Sequence, residues 1–163
     1  NSCSASAGEV LVALKIQELA QSGMDFTTVV AQVSRYIEEM ETLFVLENLD
    51  NLRKNGRLSR MQSLVTSTLR IKLLLGSTPE GEVCKKGQAM SVKQALNKMA
   101  SLMAANPNHA GKRLSIVHCN CLERAYHLRE LALKQCQFSE ILISETGGIS
   151  TVYANDGGVV AAY

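Results

Sequence analysis

The sequence predicts an α/β fold: a mixed sheet of about five strands packed with helices and preceded by a helical pair. Three observations carry that prediction. Apolar residues recur at steps of three and four over residues 26–40 and 92–103, the period of amphipathic helices. Short runs rich in branched or aromatic side chains, such as Thr42-Leu43-Phe44-Val45-Leu46, are bounded by polar or glycine-containing turns, as buried strands are. Helices come first and strands mixed with helices follow, without a repeat, low-complexity tract or linker between them. Within one domain, residues 1–41 read as a helical connecting segment and 42–163 as an α/β core.

Residues 9–21 read as a helix ended by Gly23, because a left-handed residue is wanted just past a helix end. Asp25 offers an N-cap oxygen to a second helix whose apolar residues Phe26, Val30, Val33, Ile37 and Met40 share a face. Residues 42–46 form the first strand. Asn48 caps a short helix through Lys54, ended by Asn55-Gly56, and Ser59 caps another that carries Met61, Leu64 and Val65. Residues 69–75 form a second strand, 76–81 a turn around Pro79, and 82–85 the returning arm of a hairpin.

The clearest helix spans residues 91–106, where Val92, Ala95, Leu96, Met99, Leu102 and Met103 line one side before Asn106-Pro107 stops it. A strand at 114–117, a helix at 122–135 with Asn120 as its cap, and a strand at 141–143 follow. The last strand, 159–163, is entered through Asp156-Gly157-Gly158.

Composition narrows the function. A chain of this length buries roughly 70% of its unfolded surface, enough for one real core. Only 4% of residues are aromatic and none is Trp, so that core is aliphatic and methionine-containing. Such an interior suits flexible apolar ligands and offers few stacking surfaces for bases. A formal charge of +2 is too small to argue for nucleic acid, and no apolar run approaches the roughly 20 residues that cross a bilayer. The start, Asn1-Ser2-Cys3-Ser4, has no initiator Met, charged n-region or apolar h-region, and reads as an internal point of a longer protein. Five cysteines without a regular framework suggest reduced thiols and a cytoplasmic protein.

The strongest local feature is basic. Arg53, Lys54, Arg57, Arg60, Arg70 and Lys72 follow one another with no acid after Asp50. An Arg fork fits carboxylate or phosphate, and a tight turn at Asn55-Gly56 could add backbone N–H groups. The same run also reads as a solvated face, or as a regulatory or partner-docking surface. His118-Cys119-Asn120-Cys121 has too few ligands for a closed zinc site, and a thiol nucleophile there would need a base and a lowered pKa. It reads first as a strand end leading into a helix. The pairs Gly147-Gly148 and Gly157-Gly158 match no phosphate-binding fingerprint and read as turns or a pocket edge. No metal set or cofactor motif is evident, and no enzyme activity is predicted.

Several segments, in order, resemble one family. Ser2-x-x-x-Ser6-x-Gly8 is similar to the D-S-x-x-x-S-x-G of DegV proteins, with Asn1 in place of Asp. Val45 through Ser59 is similar to that family's "L-x-x-L-x-K-G-G-R-I-S", Leu69-Arg70-Ile71-Lys72 to its "L-x-I-K-P", and Gly87 through Leu96 to its "K-A-R-G-x-K-K-A-L". Ile116-Val117-His118 with Ala125 fits the later "I-x-H-x-x-x-x-x-A". The sequence departs at Leu73, at Met90-Ser91, and at Ala154-Asn155-Asp156-Gly157-Gly158, where the family has "H-T-G-P-G".

The resemblance implies the C-terminal lobe of a bacterial, two-lobed protein that holds a long-chain fatty acid between lobes. Some relatives present the acyl group to a separate fatty-acid kinase. The missing N-terminal lobe would carry the main carboxylate grip. Arg57 stands at the family's headgroup Arg, and Ser6, Lys72 and Asn155 complete the ligand-binding residues that the resemblance implies.

Overall fold

The computed structural model describes residues 1–58 and 71–163. The expected Ser59-capped helix, the residues Arg60 and Arg70, and the start of the second expected strand lie outside the described residues.

Helix α1 (Ala7–Gln21) ends with Gly23 at φ 79°, as its sequence implies. Asp25 caps α2 (Phe26–Glu38), accepting from the Thr28 amide at 3.1 Å. Then come β1 (Thr42–Val45), α3 (Asp50–Lys54), β2 (Lys72–Ser77) and β3 (Val83–Ala89). The hairpin joining β2 and β3 turns over Thr78 to Gly81, and its returning strand runs longer than expected. Ser91 caps α4 (Val92–Ala105) through the Gln94 amide, and a single 3₁₀ turn (Pro107–His109) follows. The chain closes with β4 (Arg113–His118), α5 (Leu122–Gln135), β5 (Glu140–Glu145), α6 (Gly148–Ala154) and β6 (Val159–Ala162).

Among the described residues, six strands rather than five form one sheet in the order β3-β2-β1-β6-β4-β5. Every neighbouring pair is antiparallel except β4 and β5, which are parallel and joined by α5 in a β-α-β crossover. The C-terminal strand β6 lies between β1 and β4, pairing Phe44 with Val160 on one side and Val117 with Val160 on the other.

The two faces of this sheet are filled differently. Against one face lie α4 and α5, which bury Leu96, Met99, Met103, Leu128, Leu114 and Ile116 in the main core. On the opposite face, α1 packs Ala7 and Leu11 onto Val117 and Ala162. Farther along, Leu46, Leu52, Leu58, Cys119 and Ala154 make a separate small cluster.

Four local expectations need correction. Within α2, Val33 is buried, but Phe26 on the same face is 82% exposed. Leu102 is exposed while the small Ala100 is buried at the α4–α5 contact, allowing the helices to approach. Gly76 belongs to β2 rather than to the turn: a Cβ there would lie 2.7 Å from the Thr42 carbonyl oxygen on the neighbouring strand. Asn120 is not the cap of α5; Cys121 takes that position, and Asn120 turns the chain at φ 51° while its amide donates to Asp156 at 2.8 Å.

Candidate functional site

A cleft of about 500 Å³ opens on the second face of the sheet, between the α1 cluster and the cluster around Leu46. Phe44 and Val160, partners across β1 and β6, lie in its floor with Gly76, Ser77 and Val83 from the hairpin. Leu46, Leu52, Tyr153 and Ala154 extend an apolar wall toward α3 and α6. The other lip is polar and comes from the first residues of the chain, including Ser4, Ser6 and Glu9.

Each lip is held by specific backbone and side-chain contacts. Ser4 and Thr42 hydroxyls meet at 2.7 Å, tying the N-terminal segment to β1. Gly8 lets Ser4 pack onto the start of α1, since a Cβ at that position would stand 2.1 Å from the Ser4 hydroxyl oxygen. Cys3 and Ser6, both in the lining, have φ of 48° and 55°. Non-glycine residues in that region cost of order 1–3 kcal/mol each and persist where surrounding contacts over-determine them.

At the other lip, α3 ends in a left-handed glycine, Gly56 at φ 69°. The Arg57 amide then donates to the Leu52 carbonyl at 2.8 Å, and Leu58 is buried beside Leu46. This turn leaves the Arg57 side chain exposed on the cleft wall. It is the one basic residue among the described lining residues, and no ion pair joins it to another described residue. An Arg so placed can meet a carboxylate or phosphate with its fork of donors. Glu9 and Glu82 also border the cleft, so the rim carries both signs.

Of the residues singled out from sequence, Arg57 and Ser6 are brought to one cleft, at its two lips. Lys72 and Asn155 are placed elsewhere. Lys72 donates to the Glu47 carboxylate, which also receives Arg124 at 2.7 Å. Burial raises the Glu47 pKa, but the hydrogen bonds from Lys72 and Arg124 outweigh it and hold the carboxyl below its ordinary value. Asn155, at φ 55°, accepts from the Asn51 amide at 3.0 Å and donates to the Asn48 carbonyl at 3.3 Å. It thereby fastens the end of α6 to α3, two elements of the apolar wall.

Elsewhere in the described part of the basic run, Arg53 faces Asp50 at 3.4 Å. The thiols of the His118-to-Cys121 segment are buried. Burial pushes the Cys121 thiol up, the opposite of what a nucleophile requires. The His118 ring instead accepts the Cys121 amide at 3.3 Å and helps turn β4 into α5.

Sequence reading passed over helix α6, whose Ile149, Ser150, Tyr153 and Ala154 line the cleft. The signal was present, because Ile149, Val152 and Tyr153 recur at steps of three and four after Gly147-Gly148. Seven residues rich in branched side chains are a weak helix pattern by themselves, and tertiary contact decides them.

The profile of DegV, a family of uncharacterised proteins, matches residues 1–163. The chain belongs to the DegV family. A DegV domain-containing protein of Streptococcus pneumoniae is 30% identical over 162 residues, covering 96% of this chain and 56% of its own length. A relative from Streptococcus pyogenes is 27% identical over all of this chain and 58% of its own. The chain thus spans little more than half the length of these curated relatives.

Among solved structures, a DegV family protein of Ruminococcus gnavus, refined with vaccenic acid, superposes with a TM-score of 0.95 at 50% identity. The match covers 100% of this chain and 58% of that one. The Fatty Acid Kinase B3 protein of Streptococcus pneumoniae, loaded with linoleic acid, gives 0.87 at 28% identity, with coverage of 99% and 57%.

Proposed function

We propose that residues 1–163 act as the C-terminal lobe of a two-lobed carrier of long-chain fatty acids. The observation that carries this reading is the cleft: an apolar floor and wall with Arg57, which has no ion pair to another described residue, at their edge. An acyl chain buried over Phe44, Leu46 and Tyr153 gains about 0.8 kcal/mol for each methylene removed from water. Arg57 offsets the cost of burying its carboxylate, and Ser6 borders the opposite lip. Lys72 and Asn155 serve the same site by holding Glu47 and the α3–α6 wall in place. The acids recorded in the R. gnavus and S. pneumoniae relatives are of the chemistry this cleft fits.

The missing lobe of the same protein would close the cleft. In this reading the carrier performs no chemistry of its own in the cytoplasm, and a fatty-acid kinase is the partner that acts on the presented carboxylate. No helix among the described residues is long and apolar enough to cross a membrane. Native mass spectrometry of the full-length protein after gentle purification tests the reading. A retained acyl chain is expected; a protein that never carries one, even when fatty acid is supplied, overturns it.

A further inference from the structure

We infer that Phe44 is the stop that sets how much acyl chain this lobe accepts, an inference that rests on the carrier reading above. The lining changes character along β1. Thr42, Phe44 and Leu46 fall at alternate positions and line the cleft in sequence, spanning roughly 13 Å at a rise of about 3.3 Å per residue. At the Leu46 end lie Leu52, Leu58 and Arg57, whose backbone N–H donates to the Leu52 carbonyl. At the Thr42 end the lining is hydroxyl and carboxylate: Ser4 bonded to Thr42, then Ser6 and Glu9.

An amphiphile whose carboxylate meets Arg57 therefore lays its tail along β1 toward Phe44. Beyond that ring, a methyl terminus would leave apolar contact for polar groups and gain nothing by advancing. The ring is also the bulkiest obstacle in the floor. Thr42, Gly76, Ser77, Val83 and Val160 complete the strand-borne lining, so Phe44 is its only aromatic side chain among the described residues. It is half-buried although it sits on a central strand between β2 and β6, which leaves ring surface open to the cleft. No comparable bulk comes from the hairpin side, where Gly76 cannot take even a methyl without meeting the Thr42 carbonyl.

The full-length protein carrying Phe44→Leu, Phe44→Ala or Phe44→Trp tests this by competition among saturated fatty acids of increasing length. The preferred length is expected to move upward in the Leu and Ala variants and downward in the Trp variant. Thermal unfolding confirms that each variant is folded, and the Leu and Trp variants decide the matter if Ala is not. An optimum unchanged from wild type, or shifted in the same direction by Leu and Trp, overturns the stop while leaving the carrier reading intact. A wild-type protein that binds no member of the series overturns both.

Discussion

One sheet presents two faces with opposite designs. On the α4–α5 face, large side chains such as Leu96, Met99, Met103, Leu114, Ile116 and Leu128 are all but sealed from solvent. Across the same strands, the α1 and Leu46 clusters are smaller and leave a gap where Phe44 and Val160 meet the cleft. The difference teaches where stability and binding are separated. A strand side chain alternates between faces, so neighbouring residues in β1 serve different ends: Leu43 and Val45 hold the core, while Phe44 floors the cleft.

The comparison breaks most visibly in the core. Leu128→Ala should cost about 2–5 kcal/mol, because the cavity is enclosed on all sides. Urea unfolding measures it, and a loss near zero would mean that the α4–α5 face is not the stabilising one. Gly76→Ala comes next, at roughly 1–3 kcal/mol for the forced shift of β1 against β2, and a change of similar size in the unfolding midpoint checks it.

On the cleft face the readout changes. Arg57→Ala in the full-length protein should weaken fatty-acid binding about tenfold, or ~1.4 kcal/mol, while the unfolding midpoint stays put because the side chain is exposed. An unchanged affinity removes Arg57 from the site. Ser4→Ala should lose about 0.5–1.5 kcal/mol, as one partly buried hydrogen bond to Thr42 disappears.

The smallest expected effect is electrostatic. Glu47 has a pKa below its ordinary value in the fold, so its contribution is present above the unfolded carboxylate pKa. It fades as pH falls through the depressed folded value. Glu47→Gln should therefore flatten the acid limb of the stability profile slightly, and identical limbs would show that the Lys72 and Arg124 pairs are too solvated to matter.

Much of this was legible before any coordinates. The helix read at residues 122–135 is α5 over the same bounds, though its cap is Cys121 rather than Asn120, and a polar side chain before an apolar run marked the cap Asp25. Asn55-Gly56 announced the turn that delivers Arg57, since a left-handed residue and a helix end are local events. Helix α6 was not legible, because a short segment has too few turns to declare its period. Nor was the open part of α2: the spacing puts Phe26 to Met40 on one face, but does not say that Phe26 stays exposed while Val33 is buried.

By itself, then, the sequence determined the α/β class, the kinds and order of most elements, the aliphatic core and the turn before Arg57. These depend on neighbours along the chain and on side-chain period. Only the tertiary structure decided that Arg57 and Ser6 face one cleft while Lys72 is taken by Glu47 and Asn155 by Asn48 and Asn51. It also decided that β6 enters beside β1 and puts Val160 next to Phe44. The Asn155 and β6 pairings join residues more than a hundred positions apart, and Lys72 with Glu47 spans 25, distances no local propensity reaches, so packing selects the partner.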